Sequence, residues 1–448
     1  MSGLPHDKQE NDDARLAAEG HAGSATPSPR PRSRLLSVVL LALALGWAIV
    51  RCVSLVTEAA TGQTDFSVLF RTAVALRAGA DGGLYSQVDF PTGGLHCIPP
   101  FGSLLLLPLA PLPVATAGAV WGLINLLILV GSALALRAVL GGVDRYPRLH
   151  RSTWVAAVLV MVGLSSDALL TGQFTVVMVA GWVVYLWASA RGSDGLAALG
   201  LALPAAMKFY PALMWVVPAF SGRRRQALLA PVLFVALCVV PPLAVYGPRA
   251  WELSRGYVRG MTASENSRVT WANRADYVVQ QGFEPILLRY LTTHPAWHAQ
   301  HPWFPHLDLP RPFVLHLGAA LRCVILLLSA WLAWRLRRGC ASRPRHGALM
   351  LTGLWAAAMY LMLPDAASRY ALYLLPTFLM LLVWTAGALR RGAWRGLGMV
   401  LLTLVCFLCA VQLGPRIMRP LGTGLVGSLT LWGLMVGYCW REARRVGR

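Results

Sequence analysis

Residues 35–56 read LLSVVLLALALGWAIVRCVSLV, and residues 57–66 continue TEAATGQTDF. The first stretch carries one charge, Arg51, and is about the length a helix needs to cross a hydrocarbon core of about 30 Å at about 1.5 Å per residue. The second turns polar at once and carries a carboxylate, Asp65, next to its last residue. Arg30-Pro-Arg-Ser-Arg34 stands immediately before the apolar run, and basic residues mark the cytoplasmic flank of a span. The expected span therefore starts in the cytoplasm and delivers Asp65 to the external membrane surface.

Similar apolar blocks recur outward from this one, as in Phe313–Trp334. The chain has 448 residues, 56% hydrophobic and 13% charged, against roughly 45–50% apolar and 25% charged in soluble proteins. That excludes an ordinary soluble enzyme. Blocks near 35–57, 99–112, 114–140, 153–165, 171–190, 195–220, 227–246, 313–334, 347–363, 370–388, 397–413 and 421–440 predict an all-α polytopic membrane protein of roughly 11–12 transmembrane helices with both ends cytoplasmic. The expected organisation is a disordered cytoplasmic tail at 1–34, a membrane domain at 35–440 with external loops 58–98 and 247–312, and a basic cytoplasmic tail at 441–448. The segment 99–112 is short for a span. Interruptions are read at Ser165-Ser-Asp167 and Thr171-Gly-Gln173.

The net charge of +21, from 40 basic and 19 acidic residues, would suit a nucleic-acid binder. Position excludes that reading. The arginines cluster in short segments between apolar runs, at Arg223–Arg225, Arg335–Arg345, Arg390–Arg395 and Arg441–Arg448, as the positive-inside rule requires of cytoplasmic loops. One segment, Arg137–Arg151, falls outside on this count, which points to a re-entrant hairpin within 99–190. Lys8 and Lys208 are the only lysines. The eight cysteines form no disulfide framework, and Cys406/Cys409 lies mid-span, where cysteine acts as a small hydrophobe. There is no G-x-x-x-x-G-K-[ST] phosphate loop, so no nucleotide is expected.

Within the first external loop, Phe66–Ala80 places Phe66, Leu69, Phe70, Ala73 and Leu76 on one helical face, the pattern of an interfacial helix. Asp65 opens that helix, either as a general base at the membrane surface or as an N-cap. Lys208, in Ala205-Ala-Met-Lys208-Phe-Tyr210-Pro211, is a cation within an apolar run. It either serves a site or pairs with a carboxylate such as Asp167. Arg369, in Leu363-Pro-Asp365-Ala-Ala-Ser-Arg369-Tyr370, offers a planar fork for a phosphate or pairs with Asp365. Gly172-Gln173 either binds a ligand or lets two helices approach. In the second external loop His294, His298 and His301 have helical spacing, but prolines interrupt the run. A solvated, partly interfacial loop is preferred there to a metal site.

In this order, Asp65-Phe66 leading to Leu84-Tyr85, Pro99-Pro100-Phe101 with the leucine run to Pro108, Gly172-Gln173, Lys208-x-x-Pro211, Asn266-Ser267 and Tyr370 with Leu374-Leu375-Pro376 resemble a known family. It is that of polyprenyl-phosphate-dependent integral membrane glycosyltransferases with the C-type (GT-C) fold, the bacterial α-mannosyltransferases and arabinofuranosyltransferases that elongate lipid-anchored glycans. The resemblance implies Asp65 as the base that activates an acceptor hydroxyl. It also implies a polyprenyl-phosphate sugar donor, a lipid-linked glycan acceptor, and inversion on the external face of the plasma membrane. Lys208 and Arg369 are assigned by their positive charge to the leaving phosphate, whose negative charge develops in the transition state. Gln173, Tyr85, Asn266, Arg274 and Tyr370 are the remaining candidate substrate-binding residues. No cofactor is assigned, and the sequence is neutral on a divalent metal. A transporter or lipid flippase, using Lys208 and Asp167, is the rival class, and an accessory membrane subunit is a third.

Overall fold

In the computed structural model the described residues are 31–62, 64–86, 88–89, 94–95, 98–141, 151–262, 281–293, 298–299, 301–363, 366–412 and 421–446. Residues 1–30, most of the tail expected at 1–34, lie outside them, and Pro31–Arg34 form the start of the first helix.

The first apolar run forms α1 (Pro31–Ala60), and a sharp turn leads into α2 (Asp65–Arg77). The stripe expected to meet the membrane interface is covered by protein, since Phe66, Leu69, Phe70, Ala73 and Leu76 are all buried in α2. A 3-10 turn (Gly82–Ser86) and a two-residue antiparallel pair, Val88–Asp89 with Gly94–Leu95, follow. The block at 99–112 is not a span. It folds as α3 (Pro100–Leu104) and a 3-10 turn (Leu107–Leu109), divided by prolines, and five helical residues reach only about 8 Å.

Then come α4 (Val114–Gly141), α5 (Arg151–Thr171), α6 (Thr175–Ala190) and α7 (Asp194–Met207). α5 runs unbroken through Ser165-Ser-Asp167, with the Ser165 hydroxyl donating to the Val162 carbonyl at 2.9 Å. A 3-10 helix (Tyr210–Trp215), α8 (Val216–Phe220), α9 (Arg224–Tyr246), α10 (Arg249–Thr262) and α11 (Phe283–Leu291) continue the chain. The last elements are α12 (Arg311–Ser342), α13 (Pro344–Met362), a 3-10 helix (Ser368–Leu374), α14 (Leu375–Arg391), α15 (Ala393–Ala410) and α16 (Thr423–Val446).

Six helical stretches among the described residues are long and apolar enough to cross a membrane. Shorter apolar helices, including α6, α7 and α15, complete the bundle. Ser368–Leu389 is the most enclosed of the six, 78% buried over its apolar window, against 11% for Arg224–Tyr246. The stretch that begins beside Arg369 therefore runs through the centre, while α9 lies outside with its apolar side chains exposed.

The block expected as one span at 195–220 is two arms that reverse at Lys208. The indole of Trp215 donates to the carbonyl of Leu201 at 3.3 Å, so the second arm runs back along α7. Each arm covers about 20 Å, and such a break at membrane depth needs protein around it. Ser189 bonds Gln226 at 2.9 Å, Gln226 bonds Asp194 at 2.8 Å, and Arg345 reaches the Ala190 carbonyl at 3.3 Å. The ends of α6 and α12 and the starts of α7, α9 and α13 thus share one end of the bundle. Because 99–112 does not cross, α4 starts at the opposite end, against Ala59 and Phe66 through Gly118. It carries Arg137 to the arginine-rich end, so the conflict that suggested a re-entrant hairpin disappears.

α6 and α7 touch backbone to backbone where Gly181 meets Gly200. A Cβ on Gly200 would lie 2.5 Å from the Gly181 carbonyl oxygen and 2.7 Å from the Tyr185 nitrogen. Small residues allow such crossings in membranes. Gly200→Val is expected to cost about 1–3 kcal/mol through overpacking, seen as a lower unfolding temperature of the purified protein. Unchanged thermal stability would refute the close crossing.

Candidate active site at the break between membrane helices

Thr64 is the N-cap of α2: its backbone is extended and its hydroxyl accepts from the Ser67 amide at 3.2 Å. Asp65 is therefore the first helical residue, and its carboxylate is not used for capping. A negative charge in the first turn also suits the helix dipole.

The turn between α5 and α6 is held against Asp65-Phe66. Gly172 has φ +67°, and a Cβ there would fall 2.6 Å from the Phe66 Cβ. Its carbonyl accepts from the Trp121 indole at 2.9 Å. Gly172 is required on both counts, left-handed backbone and close approach. The next residue, Gln173, is only 6% exposed and donates from Nε2 to Asp65 Oδ2 at 2.7 Å. Its Oε1 is buried and has no hydrogen-bond partner among the described residues.

Arg369 comes from the far end of the chain and donates from Nη1 to the same Oδ2 at 2.9 Å. The side chains of Arg369 and Asp65 are 22% and 28% exposed, so solvent or a ligand reaches the pair. Both donors converge on Oδ2, and Oδ1 accepts no hydrogen bond among the described residues.

Lys208 caps the C-terminus of α7 with extended backbone, at the reversal, and is half-buried. Its Nζ donates to the Tyr370 hydroxyl at 3.3 Å and lies 4.7 Å from that ring's centroid. Arg369 lies 5.4 Å from the same ring. The 3-10 helix at Ser368–Leu374 eclipses residues three apart, which stacks Tyr370 on Tyr373 at 6.1 Å with planes 7° apart. Tyr210 and Tyr373 share a hydroxyl hydrogen bond of 3.0 Å, and Tyr373 donates to Met178 Sδ at 3.4 Å. Two cations thus flank one tyrosine, and a carboxylate adjoins one of them. Beside Lys208 a cavity of ≈ 90 Å³ opens, walled also by Pro99, Phe101, Phe209, Ser254 and Tyr257.

Asp65, Gln173, Lys208, Arg369 and Tyr370 therefore lie in one cluster. The pairing of Lys208 with Asp167 does not occur. Asp167 instead bonds Arg51 of α1 at 3.1 Å. Tyr85 does not join the cluster. It is fully buried below α10, where Gly256 and Gly260 admit the Gly82–Ser86 turn, and it meets Tyr257 edge-on at 5.5 Å. Burial pushes its phenol above the ordinary tyrosine range. Tyr257 in turn stacks on Phe209 at 6.3 Å, so Tyr85 backs the wall beside Lys208.

Asn266, Arg274, Asp365 and His294 lie outside the described residues. His298 stacks on His306 at 3.7 Å, and no group of three or more His, Cys, Asp or Glu that could hold a metal occurs among the described residues. Tyr210 and Tyr373 went unread in the sequence. Their signal is the Lys208-Phe-Tyr210-Pro211 reversal and the i, i+3 tyrosines at 370 and 373.

Stacked apolar helices around a carboxylate, two cations and a ladder of tyrosines describe a multi-pass membrane protein with a polar cluster between its helices. Residues 98–364, more than half of the chain, match the family model of Glycosyltransferase family 87. The chain belongs to this family of GT-C-type, polyprenyl-phosphate-dependent membrane glycosyltransferases. No curated protein and no solved structure matches it. The matched segment contains Gln173 and Lys208, whereas Asp65 and Arg369 lie outside it and join it through the bonds described above. Membership favours the glycosyltransferase over the transporter or flippase.

Proposed function

We propose that the chain transfers a hexose such as mannose, or arabinofuranose, from a polyprenyl-phosphate donor to a lipid-linked or cell-envelope glycan, with inversion. The observation that carries this reading is the asymmetric Asp65 carboxylate, with Oδ2 fixed by Gln173 and Arg369 and Oδ1 accepting no hydrogen bond among the described residues. A fixed carboxylate with one free oxygen is suited to take a proton from a hydroxyl in hydrogen-bond reach. The acceptor oxygen attacks the anomeric carbon, the bond from that carbon to the phosphate oxygen breaks, and the hydroxyl proton passes to Oδ1. The polyprenyl phosphate leaves with the extra negative charge. Lys208 and Arg369 are the cations available to it, and charge placed before the reaction stabilises the transition state without reorganisation. When the donor phosphate draws Arg369 to itself, Asp65 is freed for the acceptor. A single displacement inverts configuration; a retaining route would need a second, nucleophilic carboxylate.

The arginine-rich turns at the opposite end support a cytoplasmic assignment for that end. That assignment puts Asp65 on the extracytoplasmic face of the plasma membrane. The Gln173 amide holds Asp65 Oδ2 at 2.7 Å and so orients the proposed base. Gln173→Leu is therefore expected to slow transfer about tenfold, the equivalent of about 1.4 kcal/mol and one hydrogen bond. An unchanged rate would remove Gln173 from the site.

The test of the reading supplies purified, reconstituted protein with polyprenyl-phospho-sugars or nucleotide sugars and a lipid-linked acceptor. Product is expected from a polyprenyl-phospho-sugar alone. Transfer from a nucleotide sugar in its place would overturn the proposed donor.

A further inference from the structure

At the end of the bundle opposite Asp65, α12 and α16 leave a groove of ≈ 550 Å³. Four arginines, Arg335, Arg337, Arg338 and Arg444, line it, and no acidic residue does among the described residues. The adjacent acid, Glu442, bonds Arg445 at 3.0 Å. No carboxylate pairs with the four arginines among the described residues. A positive charge of this density, without counter-charge among the described residues, calls for an anion from outside.

Three of these guanidinium groups lie over indole rings. Arg335 is 5.6 Å from the Trp331 ring, Arg337 4.7 Å from Trp334 and Arg444 5.0 Å from Trp440. Trp331 and Trp440 meet at 5.4 Å across the seam of the two helices. Stacking restrains the planar forks, so less side-chain freedom is lost when an oxyanion is bound.

The surroundings distinguish a lipid from a soluble anion. α12 has 32 residues, so it extends about 48 Å against a hydrocarbon core of about 30 Å, and its last turns stand at headgroup level. From the groove an apolar stripe runs down the outer face of the same helix through Trp331, Leu327 and Val324, which are exposed and spaced three to four apart. An acyl chain has a track there, and the tryptophans mark the boundary where their rings are favoured.

We infer that this groove binds an anionic phospholipid, its phosphate among the four guanidinium groups and an acyl chain along Leu327 and Val324. The site is separate from the Asp65 cluster and does not depend on the donor assigned above.

Native mass spectrometry of the full chain in detergent, titrated with dioleoyl phosphatidylglycerol or dioleoyl phosphatidylcholine, tests it. The anionic lipid is expected to bind about tenfold more tightly. R335Q/R444Q should bring its affinity down to that of phosphatidylcholine, whereas R224Q/R225Q, at the same end but outside the groove, should not. Since loss of arginines can disturb insertion, W331L/W440L keeps every charge and should also weaken phosphatidylglycerol several-fold. K208M, altered at the opposite end, should retain the bound lipid. Equal affinity for the two lipids would overturn the proposal, as would wild-type binding by both groove variants or loss of the lipid in K208M. Displacement of phosphatidylglycerol by millimolar inorganic phosphate would assign the groove to a soluble anion instead.

Discussion

Asp65→Asn is expected to lower the rate of sugar transfer by about 10²–10⁴-fold, the range associated with losing a positioned general base. The variant retains the shape of the side chain, and its amide oxygen can still accept from Gln173 and Arg369, which bond Oδ2 at 2.7 and 2.9 Å in the native site. What it loses is the ability of the second oxygen to take a proton. Donor binding should therefore change little while kcat falls. Thr64 caps α2, so the substitution leaves the helix start intact. Thermal unfolding close to that of the native protein is expected alongside the loss of activity. Full transfer by this variant would sink the proposed base.

The second large effect is expected at the two cations. Lys208→Met and Arg369→Met should each reduce kcat by about 10²–10³-fold, the scale measured when one preorganised donor to a developing oxyanion is removed. Lys208 is fixed by the Tyr370 hydroxyl and by the ring faces of Tyr370 and Tyr210, so the charge is held in place before substrate arrives. An interaction made chiefly in the transition state appears in kcat, whereas uniform binding appears in KM. The conservative variants Lys208→Arg and Arg369→Lys should recover part of the rate, because charge survives although geometry changes. A purely structural role would show in the unfolding temperature and would not be rescued in this pattern. Unchanged donor kinetics in both methionine variants would remove the phosphate assignment.

The long apolar blocks made the membrane class legible, because a run of that length has few other uses. The helix after the first span was legible from the spacing of Phe66, Phe70 and Ala73. The covering of that helix was not. Periodicity marks an apolar face without saying whether lipid or protein meets it, and here Gly118 and Gly172 bring protein close. Lys208 stood out as a cation in an apolar run. Its place at a reversal did not, since Pro211 reads equally as a kink within one span and as the start of a returning arm. The Trp215 to Leu201 bond distinguishes the two.

Partner choice was the least legible level. Asp65 and Arg369 are 304 residues apart, and local sequence offered each a nearer occupation, as an N-cap for the first and a pairing with Asp365 for the second. The first was displaced by Thr64, a residue whose hydroxyl does the same work one position earlier. Asp167 likewise found Arg51 across α1 and α5. The arginine count showed where the discrepancy lay, at Arg137–Arg151, but the cause was the neighbouring segment 99–112. Its prolines divide it into pieces too short to cross.

The transfer proposed for Asp65 is a single displacement assisted by one carboxylate. It is tested most directly by the anomeric configuration of the product, read by nuclear magnetic resonance after transfer from a polyprenyl-phospho-sugar of known configuration. Inversion at the transferred sugar is the expected result. Retention would contradict it, because a double displacement requires a nucleophilic carboxylate in addition to Asp65.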